Sequence, residues 1–584
     1  MKKSVLNIAA IVLALFGVGF GIGCLISLLS SKGLADGEYA VTVCSTTDVH
    51  GAYFDSLYVG DQAAKTSLAH VSSYLKELRA SGVQPVLIDV GDNLQGDNAA
   101  YYFNYVATDV PHVYPRIASY LDYDAIVVGN HDIETGHPVY DKIAAQLAAH
   151  GIPFLGANAV RTDDGEPYFP AYKVFRRGGY KVAVLGLTNP NMKAWLSEPV
   201  WSGIDFKSLI PCAQEWVDRI RAKERPDVMV VLTHSGVGEG DGQMLESQGL
   251  DLLQSLQGVD LLVCSHDHRP AVAEKDGLWM IDGGARAGNV GHAVVRQSKG
   301  QARQMEAEFV RMDKNKVDAQ MKEHFRPVFD EVRDFTLQPV GQLAMELRTR
   351  DAYRGMCDYV NLIHTVQLGV PDVQLSFAAP LTFDGTVKPG EVVFNDMFTI
   401  YPYENQLFVV KLRGAEIRDY LEFSYNRWIQ TPGSHVLRIV DDPDPRTGAD
   451  RWSFEGRTYN FDSAAGLVYT VDVTRPMGSR VRIKSLADGT PFDPEAWYRV
   501  AMTSYRASGG GEHLTAGAGI PKEEVEERIV ARHPEIRELV YQYFKEHGTV
   551  DSALLGDRSL IGEWHFVPEN VVDPMIQEDM KLIF

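Results

Sequence analysis

The chain lacks any close pairing of cysteines. Its five, Cys24, Cys44, Cys212, Cys264 and Cys357, are scattered, which excludes a disulfide framework. Cys44 and Cys264 sit in apolar, strand-like runs, where a thiol behaves as a small buried hydrophobe. Basic residues are also short: 56 Lys and Arg face 77 Asp and Glu, a formal charge of −21. That balance argues against a groove for polyanions, so no nucleic-acid polymer is expected as a partner. Small phosphorylated substrates stay open, because bound cations reverse the sign of a site. Internal repeats and low-complexity tracts are absent. What remains, 45% hydrophobic and 23% charged residues, is the composition of an ordinary globular protein. At 584 residues it is too long for one core, and more than one domain is expected.

The leader reads differently from everything after it. Lys2 and Lys3 precede "VLNIAAIVLALFGVGFGIGCLISLL", and small residues such as Gly33 and Ala35 follow. Residues 1–35 are therefore read as an export signal or, at that length, as a membrane anchor. The expected location is exported, in the periplasm or the cell envelope.

The first half alternates strand-like and helix-like segments, as in "SLAHVSSYLKELRASG", where Leu68, Val71, Leu75 and Leu78 have helical spacing. A layered α/β domain with much parallel pairing follows from that alternation. Five apolar runs, "YAVTVCSTTDVHG", "PVLIDVGDNLQGD", "YDAIVVGNHDIETG", "VMVVLTHSGVGEG" and "VDLLVCSHDH", each carry Asp, Asn or His at the carboxyl end. In α/β sheets that edge binds ligands. A single such residue is commonly a cap or a turn, but five on one edge point to a site. Asp48, His50, Asp92, Asn130, His234, His266 and His268 form a donor set suited to zinc, manganese, iron or cobalt. Seven donors are too many for one ion. They divide between two if Asp92, central in the series, bridges, and paired ions serve in-line displacement at phosphorus.

After Phe309 the pattern turns to a charged helix-prone stretch, "MDKNKVDAQMKEHFRPVFDEVRDFT", read as a linker over 311–340. A second unit follows, without strand-end histidines. In it Tyr401, Tyr403 and Asn405 precede a strand, and Tyr505 follows one just before Gly509, Gly510 and Gly511. Consecutive glycines let backbone approach a ligand closely.

In order, "DVHG", "GDNLQG", "GNHD", "THSG" and "SHDH" resemble the calcineurin-like metallophosphoesterases. "LSFAAP", "YPYEN", "YNFD", "YTVDVT", "PFDP", "YRASGGG" and "GEWHFVP" resemble the carboxyl-terminal domain of exported 2′,3′-cyclic-nucleotide 2′-phosphodiesterase/3′-nucleotidases. The resemblance implies that Asp48, His50, Asp92 and His268 hold one metal, and Asp92, Asn130, His234 and His266 the other. It makes His131 the transition-state stabiliser or proton donor, supported by Glu134 or, because the spacing after "NH" differs from relatives, by Asp132. It places Tyr403 and Tyr505 around the base, with Asn130, Gly509 and Gly510 also at the substrate. The "NxGxxR" loop of the related 5′-nucleotidases is "FAAPLTFDG" here, without the arginine.

The domains expected are residues 36–310 for the phosphoesterase and 341–584 for a second α/β domain that recognises the nucleotide. The expected activity opens 2′,3′-cyclic nucleotides and hydrolyses the resulting 3′-nucleotides, a role in nucleotide catabolism. The rivals are a 5′-nucleotidase or nucleotide-sugar hydrolase, and a metal-bearing surface protein that binds nucleotides without turnover.

Overall fold

The structure is a computed structural model that describes residues 38–59, 62–298, 303–442 and 451–584. The leader read at 1–35 lies outside them. Among the described residues no helix is long and apolar enough to cross a membrane. Two compact units emerge, one ending at Val332, the other comprising Ala194–Ser197 and Arg333–Phe584. The division falls inside the helix Ala319–Thr336.

The first unit is built on two six-stranded sheets. One orders Gln304–Arg311, Asn289–Ser298, Glu38–Thr46, Val86–Asp89, Ala125–Val127 and Phe154–Leu155. The other orders Ala271–Lys275, Leu278–Asp282, Leu261–Cys264, Val228–Thr233, Tyr180–Leu187 and Tyr172–Arg177. Both have parallel pairing where the ligand-bearing strands lie and antiparallel strands at the margins. The sheets share one core, in which Val43, Ile88 and Val127 cluster with Val184, Val230 and Val263. The second sheet also packs against the helix Leu209–Glu224 through Leu209, Ala213, Val217 and Ile220. Strands covered on both faces read as continuous apolar runs, which is why the sequence shows runs rather than alternation.

One expectation needs correction. The ligand-bearing strand ends belong to two sheets, three in the first and two in the second, not to a single edge. A buried strand carries the same apolar signal in either sheet, so chain order alone does not separate them. The helix Leu68–Ala80 buries Leu68, Val71, Leu75 and Leu78, and Ser67 caps it by accepting from the Ala69 amide.

The second unit centres on a five-stranded sheet ordered Ser463–Ala465, Leu375–Ala378, Trp497–Thr503, Gln406–Arg413 and Ile529–Glu535. The helix Gly414–Trp428 packs Ile417, Tyr420, Leu421, Tyr425 and Trp428 into an aromatic-rich core with Phe377, Phe461 and Trp564. Tyr403 stands just before one central strand. Tyr505 lies on the short helix Ser504–Ala507 that follows the other.

Candidate active site

Each strand of the donor series ends one to four residues before its ligand candidate, and the chain then turns sharply. Asp48, His50, Asp92, His266 and His268 all have φ between 47° and 81°, a region that costs non-glycine residues on the order of 1–3 kcal/mol. Only seven other non-glycine residues share it among those described, so the strain concentrates where the donors are. The neighbouring glycines answer to contact. A Cβ on Gly129 would fall 2.1 Å from the Asp92 carboxylate, so the loop bearing Asn130 reaches Asp92 only with glycine there.

Two groups of donors converge. Ligand atoms of Asp48, His50 and His268 lie within 4.8 Å of one another, and so do those of Asp92, His234 and His266. The His50 and His268 Nε2 atoms are 3.0 Å apart. Asn130 joins the second group, its Oδ1 2.9 Å from both His234 Nε2 and His266 Nδ1. Other atoms of the rings are anchored. His50 Nδ1 faces the Gln95 carbonyl at 3.2 Å and His234 Nδ1 the Val90 carbonyl at 2.7 Å. Such bonds set the tautomer and would leave Nε2 to ligate an ion.

His131 and Glu134 lie on the short helix Asn130–Glu134, three residues apart on one face. His131 Nδ1 is 2.6 Å from Glu134 Oε2, and its ring centroid is 5.5 Å from that of His50. Asp132 points elsewhere. Its Oδ1 accepts from the Asn93 and Leu94 amides at 2.9 and 3.1 Å, its Oδ2 from Asp92 and Gly129 at 3.0 and 2.8 Å. It clamps the Asp92 loop to the Asn130 loop. From the other side Asn104 donates to the Leu94 carbonyl at 2.7 Å and contacts buried His112. Asp132 stood in the sequence only as a candidate partner for His131, and Asn104 carried no motif at all.

Electrostatics follow from burial and from one close pair. Burial drives His50 well below the ordinary histidine range, His266 to about 3 and His268 to about 4. His234 differs: burial lowers it, but the Asp92 carboxylate 3.1 Å away outweighs that and lifts it to about 9. Burial likewise pushes Asp92 up, yet the facing His234 and His131 hold it well below the carboxylate range. Asp48 is pushed well above it by burial. The site therefore presents neutral imidazoles with lone pairs, and a proton beside Asp92 that a cation would replace.

In the second unit, Tyr403 and Tyr505 are both half-buried. A third ring, Tyr459, stands 6.5 Å from Tyr403 and 6.4 Å from Tyr505, nearly perpendicular to each. Gly510 backs Tyr505 so closely that a Cβ would lie 2.5 Å from the ring. Gly509 has φ 94° and starts this turn. Arg506, next to Tyr505, is buried and bonded to Asp462. Tyr459 and Arg506 lie inside "YNFD" and "YRASGGG", but the sequence alone singles out neither of them.

Comparison with known proteins decides the family. Residues 41–270 match the calcineurin-like phosphoesterase model, and residues 339–517 the 5′-nucleotidase C-terminal domain model. The chain is a calcineurin-like phosphoesterase joined to a 5′-nucleotidase C-terminal domain. It is 25% identical, over 80% of each chain, to a 2′,3′-cyclic-nucleotide 2′-phosphodiesterase/3′-nucleotidase of Yersinia enterocolitica. It is also 25% identical to a 5′-nucleotidase of Vibrio vulnificus, over 66% of this chain and 76% of that one. In fold it is similar to a Staphylococcus aureus chain assigned provisionally as a 5′-nucleotidase, with a TM-score of 0.75 and 20% identity over 90% of this chain and 99% of that one.

Calcineurin-like phosphoesterases work with two metal ions, and this phosphoesterase has two donor groups that could hold them. The residues fit. Carboxylates, an amide and neutral imidazoles converge, and two of the rings are already anchored at the opposite nitrogen. Metal-dependent hydrolysis of phosphoesters is the chemistry of this fold family, and the chain is an enzyme of that class.

Proposed function

We propose that this phosphoesterase opens 2′,3′-cyclic nucleotides to 3′-nucleotides and hydrolyses these to nucleoside and phosphate. The observation that carries the reading is the convergence of the two donor triads beside the His131–Glu134 pair. In this reading Asp48, His50, Asp92 and His268 hold one divalent ion, and Asp92, Asn130, His234 and His266 the other. The ions would supply Lewis-acid charge neutralisation and acidify a water. The protein's own groups do the rest. Glu134 orients His131 through Nδ1, so that Nε2 can give a proton to the departing oxygen. The Asn130 amide nitrogen, opposite the oxygen turned to His234 and His266, donates to a phosphoryl oxygen. Tyr403 and Tyr505, with Gly509 and Gly510 behind them, hold the base.

Two facts support the cyclic and 3′ branch over the 5′ branch. The Yersinia relative is 25% identical over 80% of this chain, whereas the 5′-nucleotidases reach 25% over only 66% of it (Vibrio vulnificus) or 92% of it at only 22% (Vibrio parahaemolyticus). The segment "FAAPLTFDG" has no arginine of its own. The equal identity also keeps 5′-nucleotidase as the second reading. The lysine-led apolar leader supports action outside the cytoplasm, in the periplasm or envelope. A panel of 2′,3′-cyclic AMP, 3′-AMP and 5′-AMP compared by kcat/KM tests the proposal. A clear preference for 5′-AMP overturns the branch, and no metal-dependent turnover of any of them overturns the function.

A further inference from the structure

We infer that Tyr459 is a third wall of the base site and a determinant of base specificity. The inference rests on the reading that Tyr403 and Tyr505 hold the base, and it goes beyond that pair. Tyr459 is nearly equidistant from the two rings, 6.5 and 6.4 Å between centroids, with interplanar angles of 81° and 88°. Where the two outer rings face each other as a base clamp, a ring perpendicular to both and equally far from both would stand beside the gap between them. For a base stacked about 3.5 Å from each of two parallel rings, hence about 7 Å between them, these distances would put its centre about 5.4 Å from the Tyr459 centroid. That lies inside the 4.5–7 Å range of edge-to-face aromatic pairs. Stacking alone tolerates every base, since each has a π-face. A side wall meets the rim of the base, where purines and pyrimidines differ in reach and in polar groups.

The wall is held as a binding surface should be. Tyr459 sits in the tight turn Thr458–Asn460. Its carbonyl accepts from Arg506 Nη2 at 2.9 Å, and the Asn460 Oδ1 accepts from Nη1 at 3.2 Å. The same guanidinium donates to the Gly510 carbonyl at 2.7 Å and to Asp462 at 2.8 Å. One buried arginine thus ties the Tyr459 turn to the glycine turn that backs Tyr505, so these two rings are held in place by one residue.

The test uses the full chain and measures adenosine and cytidine binding by calorimetry, with kcat and KM for the matching 3′-nucleotides. Tyr459→Leu keeps bulk and removes the π-face, Tyr459→Phe keeps the ring, and Tyr403→Ala and Tyr505→Ala are the controls. An edge-to-face contact corresponds to about threefold to tenfold in affinity. Tyr459→Leu should weaken adenosine by that factor, raise KM more than it lowers kcat, and change the adenosine-to-cytidine ratio. Tyr459→Phe should restore most of the loss, a rescue that a purely structural role in the turn would not single out for substrate. Wild-type affinities and ratio in Tyr459→Leu, with Tyr403→Ala weakened, overturn the third wall alone. Wild-type affinity in all of Tyr459→Leu, Tyr403→Ala and Tyr505→Ala removes the base site itself and this proposal with it.

Discussion

Replacing Asp132 by Asn changes one atom in a fully buried side chain, and the structure says how much should follow. Four backbone amides, those of Asp92, Asn93, Leu94 and Gly129, converge on the two carboxylate oxygens at 2.8–3.1 Å. An asparagine in either orientation satisfies only two of them and turns an NH₂ toward the other two. Each bond to a charged acceptor contributes about 1.5–3 kcal/mol, so about 3–6 kcal/mol of local stabilisation is lost. The cheapest relief is for the loop 92–94 to move off the Asn130 loop, and Asp92 moves with it. Because Asp92 is proposed to bridge, both ions should bind more weakly, by about 10–100-fold, the usual effect of an outer-shell partner. Calorimetric titration of metal-free protein with Mn²⁺ or Zn²⁺ gives affinity and stoichiometry. Far-UV circular dichroism checks that the fold persists. Glu134→Gln is the contrast, because Glu134 holds His131 and no loop backbone: its ion binding should match wild type while turnover falls. Two ions bound to Asp132→Asn with wild-type Kd would refute the reasoning.

Three further outcomes are expected. His131→Ala should retain both ions by elemental analysis while kcat falls by about 10²–10⁴-fold, with partial recovery on a substrate whose leaving group needs no proton; loss of one metal equivalent would make it a ligand instead. Tyr403→Ala and Tyr505→Ala should each lower kcat/KM for 3′-AMP by a factor equivalent to about 1–3 kcal/mol, one base stack, and affect bis(p-nitrophenyl) phosphate less. Buried His364 and His513, each held neutral by burial down to about 3, should make the second unit acid-sensitive. Unfolded histidine takes its proton near pH 6.5, so between pH 6.5 and 3 the unfolded state binds more protons and stability falls as pH falls. The slope should approach about 2.7 kcal/mol per pH unit for the pair, read from urea unfolding between pH 6 and 5, and His364→Asn should halve it.

The amino-acid sequence by itself offered the donor candidates. Asp48, Asp92, Asn130, His234 and His266 each lie within four residues of the end of an apolar run, and a polar residue just past a buried strand is a local signal, visible without knowing which strands are neighbours. It determined the helix over Leu68–Ala80 for the same reason, since spacing along one segment carries the information. Tertiary structure alone decided what depends on distant segments meeting. Whether the donor strands share a sheet is invisible locally, because a strand covered on both faces looks the same in either. Asp132 and Glu134 are both carboxylates near His131 in the chain. Only the one-turn helix puts Glu134 on the face of His131, and only the folded loop brings four amides to Asp132. Tyr459 is an ordinary half-buried tyrosine until Tyr403, 56 residues before it, and Tyr505, 46 after, come within 6.5 Å. A hydrogen bond to backbone or a ring beside a slot leaves no periodicity and no motif, because its partner is chosen in space and not along the chain.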